Sequence, residues 1–134
     1  MSRLAFQNKP GPVKCKSIYD KPAPDDGMRV FVDRLWPEGI STRHAAVEWW
    51  AQEIAPSYEL WRHGYDLDKW PQYRESYLKE LAARDKQAVI ERLRQVAAGG
   101  DLALLYGTDD PARNNAVVVR EYLENGESFL KKKK

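Results

Sequence analysis

Candidate chemistry concentrates in "MRVFVDRLWPEGIS", residues 28–41, where an apolar run ends in Asp33 and Arg34 and continues through Leu35, Trp36 and Pro37. A carboxylate at such a place can take a proton, and a guanidinium offers a fixed fork of donors that matches a carboxylate or a phosphate. In this apolar company Arg34 needs a partner: Asp33, an acid from the segment carrying Glu75 and Glu80, or a bound anion. Arg74 and Tyr77 stand three apart, on one face of a helix, beside Tyr73. Tyr77 serves equally well as a core aromatic whose hydroxyl meets a backbone carbonyl. Tyr106 ends a second apolar run, with Asp109, Asp110, Asn114 and Asn115 close behind. Ser57 follows Pro56 at a helix start, where capping accounts for it.

These residues need elements to position them. Residues 1–12 contain Pro10, Gly11 and Pro12 and read as a flexible lead-in. "VKCKSIY" alternates as a strand, with Val13, Cys15, Ser17 and Tyr19 on one side and Lys14, Lys16 and Ile18 on the other. "MRVFVDRLW" reads as an inner strand buried on both faces. The segment 41–56 is open between one helix and a helical turn followed by extended chain that buries Trp49 or Trp50. Trp70, Tyr73, Tyr77 and Leu81 recur at helical spacing, with Glu75–Lys79 and Glu80–Arg84 as pairs four apart. "DKQAVIERLRQVAAGG" is the next helix, facing inward with Val89, Leu93 and Val96 or Ala97 and stopping at Gly99-Gly100. "DLALLYG" is a buried strand. Asp110 before Pro111 predicts the start of a last helix, with Ala116, Val119 and Leu123 inward and "ENG" as its stop.

Strands separated by helices predict an α/β fold: a small layered domain over residues 13–126, with a mostly parallel sheet flanked by helices and a lysine-ended tail over 127–134. Three strands are legible, and a fourth fits within 45–55. Open sheets of this kind collect polar sites outside the carboxyl ends of their strands. Asp33 and Arg34 share one rim with Tyr106, Asp109, Asp110, Asn114 and Asn115 if their two strands are parallel neighbours.

The 134 residues suffice for one domain with a hydrophobic core. Hydrophobic residues make up 43% and charged residues 31%, and no apolar run approaches the roughly 18 residues of a membrane span. The opening residues lack an apolar signal core, so the expectation is a cytoplasmic protein. Cys15 is alone, and one cysteine with His44 and His63 makes poor material for a metal cage. No phosphate-binding glycine loop, HExxH or paired-cysteine motif occurs, so no cofactor or metal is expected. The formal charge of +2 hides an asymmetry: residues 25–130 hold 13 basic and 19 acidic side chains, a net of −6. Nucleic acid binding is therefore not expected, because it requires basic groups on the folded body.

In order along the chain, "CKSIYD", "RVFVDRLWP", "EIAPSYELWRHG", "YRESYLKEL" and "LALLYGTDD" through "NNAVVVREYL" resemble the DUF488 family, in its small YeaO-like branch. The resemblance covers roughly residues 13–124, implies a Rossmann-like α/β fold and assigns no reaction. It carries the recurring polar positions of the family onto Arg29, Asp33, Arg34, Ser57, Arg74, Tyr77, Tyr106, Asp110 and Asn114, accompanied by Trp36 and Pro37. Three departures stand out: Glu38 where the family commonly has a base, Asp109 where it often has lysine, and Asn115 where it often has histidine. An anion that other members bind should be held less tightly here or replaced by another ligand. A histidine base would have to come from His44 or His63.

The leading expectation is a pocket for a small anionic molecule, formed by Arg34, Arg74, Tyr77, Tyr106 and Asn114 and supported by Arg29, Trp36, Pro37, Ser57 and Asp110. In an enzymatic version the arginines hold substrate charge while Asp33 or Tyr77 moves a proton. The alternative is an interaction or regulatory module, in which Trp49, Trp50 or Trp61 meets a protein partner or a second copy of the chain.

Overall fold

A computed structural model describes residues 13–63 and 67–132; the lead-in expected at 1–12 lies outside the described residues. Four strands, β1 (Val13–Ser17), β2 (Met28–Phe31), β3 (Trp49–Trp50) and β4 (Leu102–Tyr106), form one sheet in the order β1-β4-β2-β3, parallel at each pairing. Five α-helices accompany it: α1 (Thr42–Ala45), α2 (Tyr58–His63), α3 (Trp70–Leu81), α4 (Gln87–Gly99) and α5 (Asn115–Lys132). The expected parallel α/β architecture is the observed one. The fourth strand is β3, preceded by the one-turn helix α1, which resolves the open reading of 41–56.

Side-chain alternation divides the two central strands between two cores. Val30, Leu102 and Leu104 join Tyr73, Tyr77 and Leu81 of α3, Ile90 and Leu93 of α4, and Val119 and Leu123 of α5. Phe31, Ala103 and Leu105 face the other way, toward Ile18, Ala45, Trp36 and Trp50. The layers are unequal: three long helices cover one face, whereas α1 and an aromatic cluster cover the other. In that cluster Trp36 meets Phe31 and Trp50 edge-on, at centroid distances of 5.2 and 5.4 Å.

Three local expectations need correction. Asp110 does not cap the last helix. Its Oδ1 accepts from the N–H groups of Ala112 and Arg113 in a turn, and α5 begins five residues later. Asn114 does the capping: its Oδ1 accepts from Val117 N–H at 2.9 Å, and its Nδ2 donates to the Asp110 carbonyl. Nor does "ENG" stop α5, which runs through Gly126 to Lys132, into the stretch expected as a tail. Glu80, expected to pair with Arg84, instead accepts from the backbone N–H and hydroxyl of Ser57 at 2.8 and 2.6 Å. Ser57 caps α2 as expected, accepting from Leu60 N–H.

Beneath β1 and β2 lies a buried charge cluster. Asp26, 1% exposed, accepts from Arg29 at 2.6 Å and from Lys16 at 2.9 Å, and Arg29 also donates to the Ala45 carbonyl. Burial alone would raise the Asp26 carboxyl. Lys16, the Ala23 N–H and Arg29 outweigh it and hold the group far below the ordinary carboxylate range. Gly27 then turns the chain into β2 with φ +66°, and a Cβ there would collide with the Asp101 carbonyl.

Arg29→Ala leaves Asp26 buried without its closest cation and should cost roughly 3–5 kcal/mol in urea unfolding. Because folding depresses the Asp26 carboxyl, its stabilisation is complete above the unfolded value near pH 4 and is lost as pH falls toward the folded value. The stability gap between the native chain and Asp26→Asn should therefore narrow below about pH 4.

Candidate functional site

The carboxyl ends of β2 and β4 lie side by side. Phe31 pairs with Leu105, so two residues further Asp33 lies opposite Gly107, and Gly107 N–H donates to Asp33 Oδ2 at 2.8 Å. The other oxygen, Oδ1, accepts from Asn115 Nδ2 at 2.9 Å, from the first turn of α5. Asn115 Oδ1 in turn accepts from the Tyr73 hydroxyl of α3 at 2.7 Å. One carboxylate and one amide thus connect β2, β4, α5 and α3. Gly107 permits the close approach: a Cβ there would stand 3.2 Å from Asp33 Oδ2 and 3.7 Å from Pro37 Cβ. Burial pushes the Asp33 carboxyl up, against the opposing pull of the Gly107 and Asn115 donors.

Of the residues expected on one shared rim, Asp33 and Asn115 meet directly, with Gly107 and Pro37 beside them. Other candidates point elsewhere. Tyr77 is fully buried and donates to the Ile54 carbonyl at 2.7 Å, and burial keeps its phenol protonated well above its ordinary range. Arg74 makes a two-pronged ion pair with Glu121 of α5, at 2.8 and 3.0 Å. Arg29 belongs to the Asp26 cluster, and Asn114 and Asp110 organise the approach to α5. Trp36 donates through its indole N–H to the Ile40 carbonyl and packs on the thinner face. Tyr106 ends β4 with its phenol raised, chiefly by burial and then by Asp20.

Arg34 and Asp33 do not pair. The Arg34 guanidinium lies 5.6 Å from the centre of the Tyr58 ring, and its Nη1 makes a long 3.4 Å contact with the Pro56 carbonyl. Among the described residues it has no carboxylate partner. Leu35, Tyr58 and Trp61 are exposed nearby, and the Tyr58 and Trp61 rings meet tilted at 5.6 Å. The β1–β4 side of the rim is acidic, with Asp20, Asp109 and Asp110, whereas Arg34 marks the β2–α2 side.

His44 accepts or donates a hydrogen bond with Ser41 on exposed α1, and His63 is exposed at the end of α2. Neither takes the place of Asn115. No cluster of metal-binding side chains occurs among the described residues. Sequence reading missed Gly107 and Glu121 and gave Glu80 the wrong partner. Gly107 carries a weak signal, a glycine at the end of a strand, but the two glutamates carry none that separates them from other surface acids.

The fold is that of a small layered α/β protein with a four-stranded, all-parallel sheet. The chain belongs to the family described as "Inactive DUF488-N3 subclade", which matches residues 12–133. It is similar to "Uncharacterized protein YeaO" of Escherichia coli (strain K12), 38% identical over 115 residues that cover 84% of this chain and 97% of that protein. It is also similar to "Uncharacterized protein Rv3073c" of Mycobacterium tuberculosis (strain ATCC 25618 / H37Rv), 34% identical over 113 residues that cover 83% of this chain and 92% of that protein. No solved structure matches.

Asp33→Asn places an amide donor against either Gly107 N–H or Asn115 Nδ2. It should cost about 1–3 kcal/mol. Combined with Asn115→Ala the losses should fall short of additive by at least about 0.5 kcal/mol, as read from a double-mutant unfolding cycle.

Proposed function

We propose that this chain is a non-catalytic binding domain whose β2–α2 rim receives a small anionic molecule on Arg34. The observation that carries the reading is the contrast between engaged and available groups. The two candidate proton carriers are engaged within the protein: Asp33 by Gly107 and Asn115, and Tyr77 by Ile54. Arg34 has an aromatic neighbour and no carboxylate. A guanidinium beside an aromatic ring on a partly apolar surface suits a carboxylate or phosphate with a flat or apolar body. The word "Inactive" in the family's description agrees with a site that binds without turning over. Arg74 drops out of the anion site, since Glu121 neutralises it.

No helix among the described residues is long and apolar enough to cross a membrane. A cytoplasmic location belongs to the same proposal. Cys15 is partly buried, and burial pushes its thiol up to about 11, which makes it an unreactive thiol.

A second reading has its own observation. Leu35, Tyr58 and Trp61 are 56%, 53% and 38% exposed, with Tyr58 touching both Arg34 and Trp61, as a protein-contact patch would. Sedimentation of the native chain against a Tyr58→Ala, Trp61→Ala double variant tests whether self-association uses this patch.

For the leading reading, thermal unfolding with inorganic phosphate and a panel of small carboxylates should show a rise of a few degrees for at least one anion. Arg34→Ala should fold normally and weaken that response at least about tenfold in concentration. Absence of any response in the native chain, or an undiminished response in Arg34→Ala, would refute the anion site.

A further inference from the structure

At the opposite end of β2, a concave site opens between the β3 edge and α4. It is an open cleft of about 440 Å³ lined by Met28, Glu48, Trp49, Glu53, Ala88, Val89 and Arg92. That volume lies within the range of small-molecule clefts. Met28, Trp49 and Val89 are the partly buried outer members of the larger core, so they give the cleft an apolar floor.

Charges of both signs stand around that floor without neutralising one another. Arg92 lies over the Trp49 indole at 5.1 Å from its centre. Glu48 accepts the Arg29 backbone N–H at 3.2 Å. Among the described residues, neither glutamate forms an ion pair, and neither does Arg92. A cation-only ligand would leave Arg92 facing it, and an anion would meet two carboxylates. The arrangement suits a molecule that carries both charges and an apolar body.

We propose that this cleft binds a small apolar zwitterion, a free amino acid or a short peptide. Its ammonium is met by Glu48 and Glu53, its carboxylate by Arg92, and its side chain by Trp49, Met28 and Val89. The guanidinium above Trp49 is already placed for the carboxylate, so binding asks for little rearrangement of that side chain. The site is independent of the Arg34 rim, and either can fail without the other.

The test is an NMR titration of the full chain, following the Trp49 indole N–H, assigned with Trp49→Phe. The probes are L-leucine and the dipeptide Leu-Leu, each up to roughly 10 mM, a range that detects millimolar binding. The controls are 3-methylbutylamine, which lacks the carboxylate, and 4-methylpentanoate, which lacks the ammonium. At least one zwitterion should shift the Trp49 resonance saturably, and each single-charge analogue should bind at least about tenfold more weakly. Arg92→Ala and Glu53→Gln, both at exposed positions, should each weaken the zwitterion without loss of fold. Leucine against Leu-Leu then separates the free amino acid from the peptide. No shift with either zwitterion, equal binding of an analogue, or unchanged affinity in both variants would overturn the proposal.

Discussion

The Asp33 carboxylate ties the carboxyl edge of the sheet together. Parallel register brings Gly107 opposite it, and the first turn of α5 brings Asn115 to its other oxygen. Through Asn115 the link reaches Tyr73 on α3, a helix that contributes Tyr73, Tyr77, Leu78 and Leu81 to the principal core. Each oxygen of Asp33 accepts one hydrogen bond from within the fold, which fixes the orientation of the carboxylate.

The same principle extends across the molecule. Charged and hydroxyl groups that look chemically available in isolation are closed in pairs: Asp26 with Arg29 and Lys16, Arg74 with Glu121, Ser57 with Glu80. These pairs join segments far apart in the chain, such as residues 57 and 80 or 74 and 121, and so act as tertiary ties between helices and loops. Against that background the charges left open acquire meaning. Arg34 stands at one edge of the sheet's carboxyl rim, and Arg92 stands with Glu48 and Glu53 in the cleft beside β3. These are the two places where the ligand sites are proposed.

Much of the scaffold was legible in the sequence because local spacing determines it. The Trp70–Leu81 periodicity marks α3, the "VFV" and "LALLY" runs mark the two inner strands, and Gly99-Gly100 closes α4. The rim itself was legible as a conditional, needing β2 and β4 to be parallel neighbours, as they are. What escaped depends on tertiary register. The Asp110–Pro111 signal is sound helix-start chemistry, yet Asp110 serves a turn, and Asn114 caps the helix five positions before Val119 enters the core. Gly126 reads as a stop, yet α5 continues beyond it. Side-chain partners were least legible. Glu80 has Arg84 four residues away on its own helix and turns instead to Ser57, which only the packing of α2 on α3 brings near.

The most direct test of this account is amide hydrogen exchange at Gly107, in the native chain and in Asp33→Ala. If the Asp33 carboxylate closes the rim as a structural tie, Gly107 N–H should exchange slowly, close to the rate of global unfolding, although it lies beyond the end of β4. The same amide should lose that protection in Asp33→Ala while Leu104 and Leu105 keep theirs. Fast exchange at Gly107 in the native chain, as for an ordinary loop amide, would mean that the carboxylate is free, and the non-catalytic reading of this rim would fall with it.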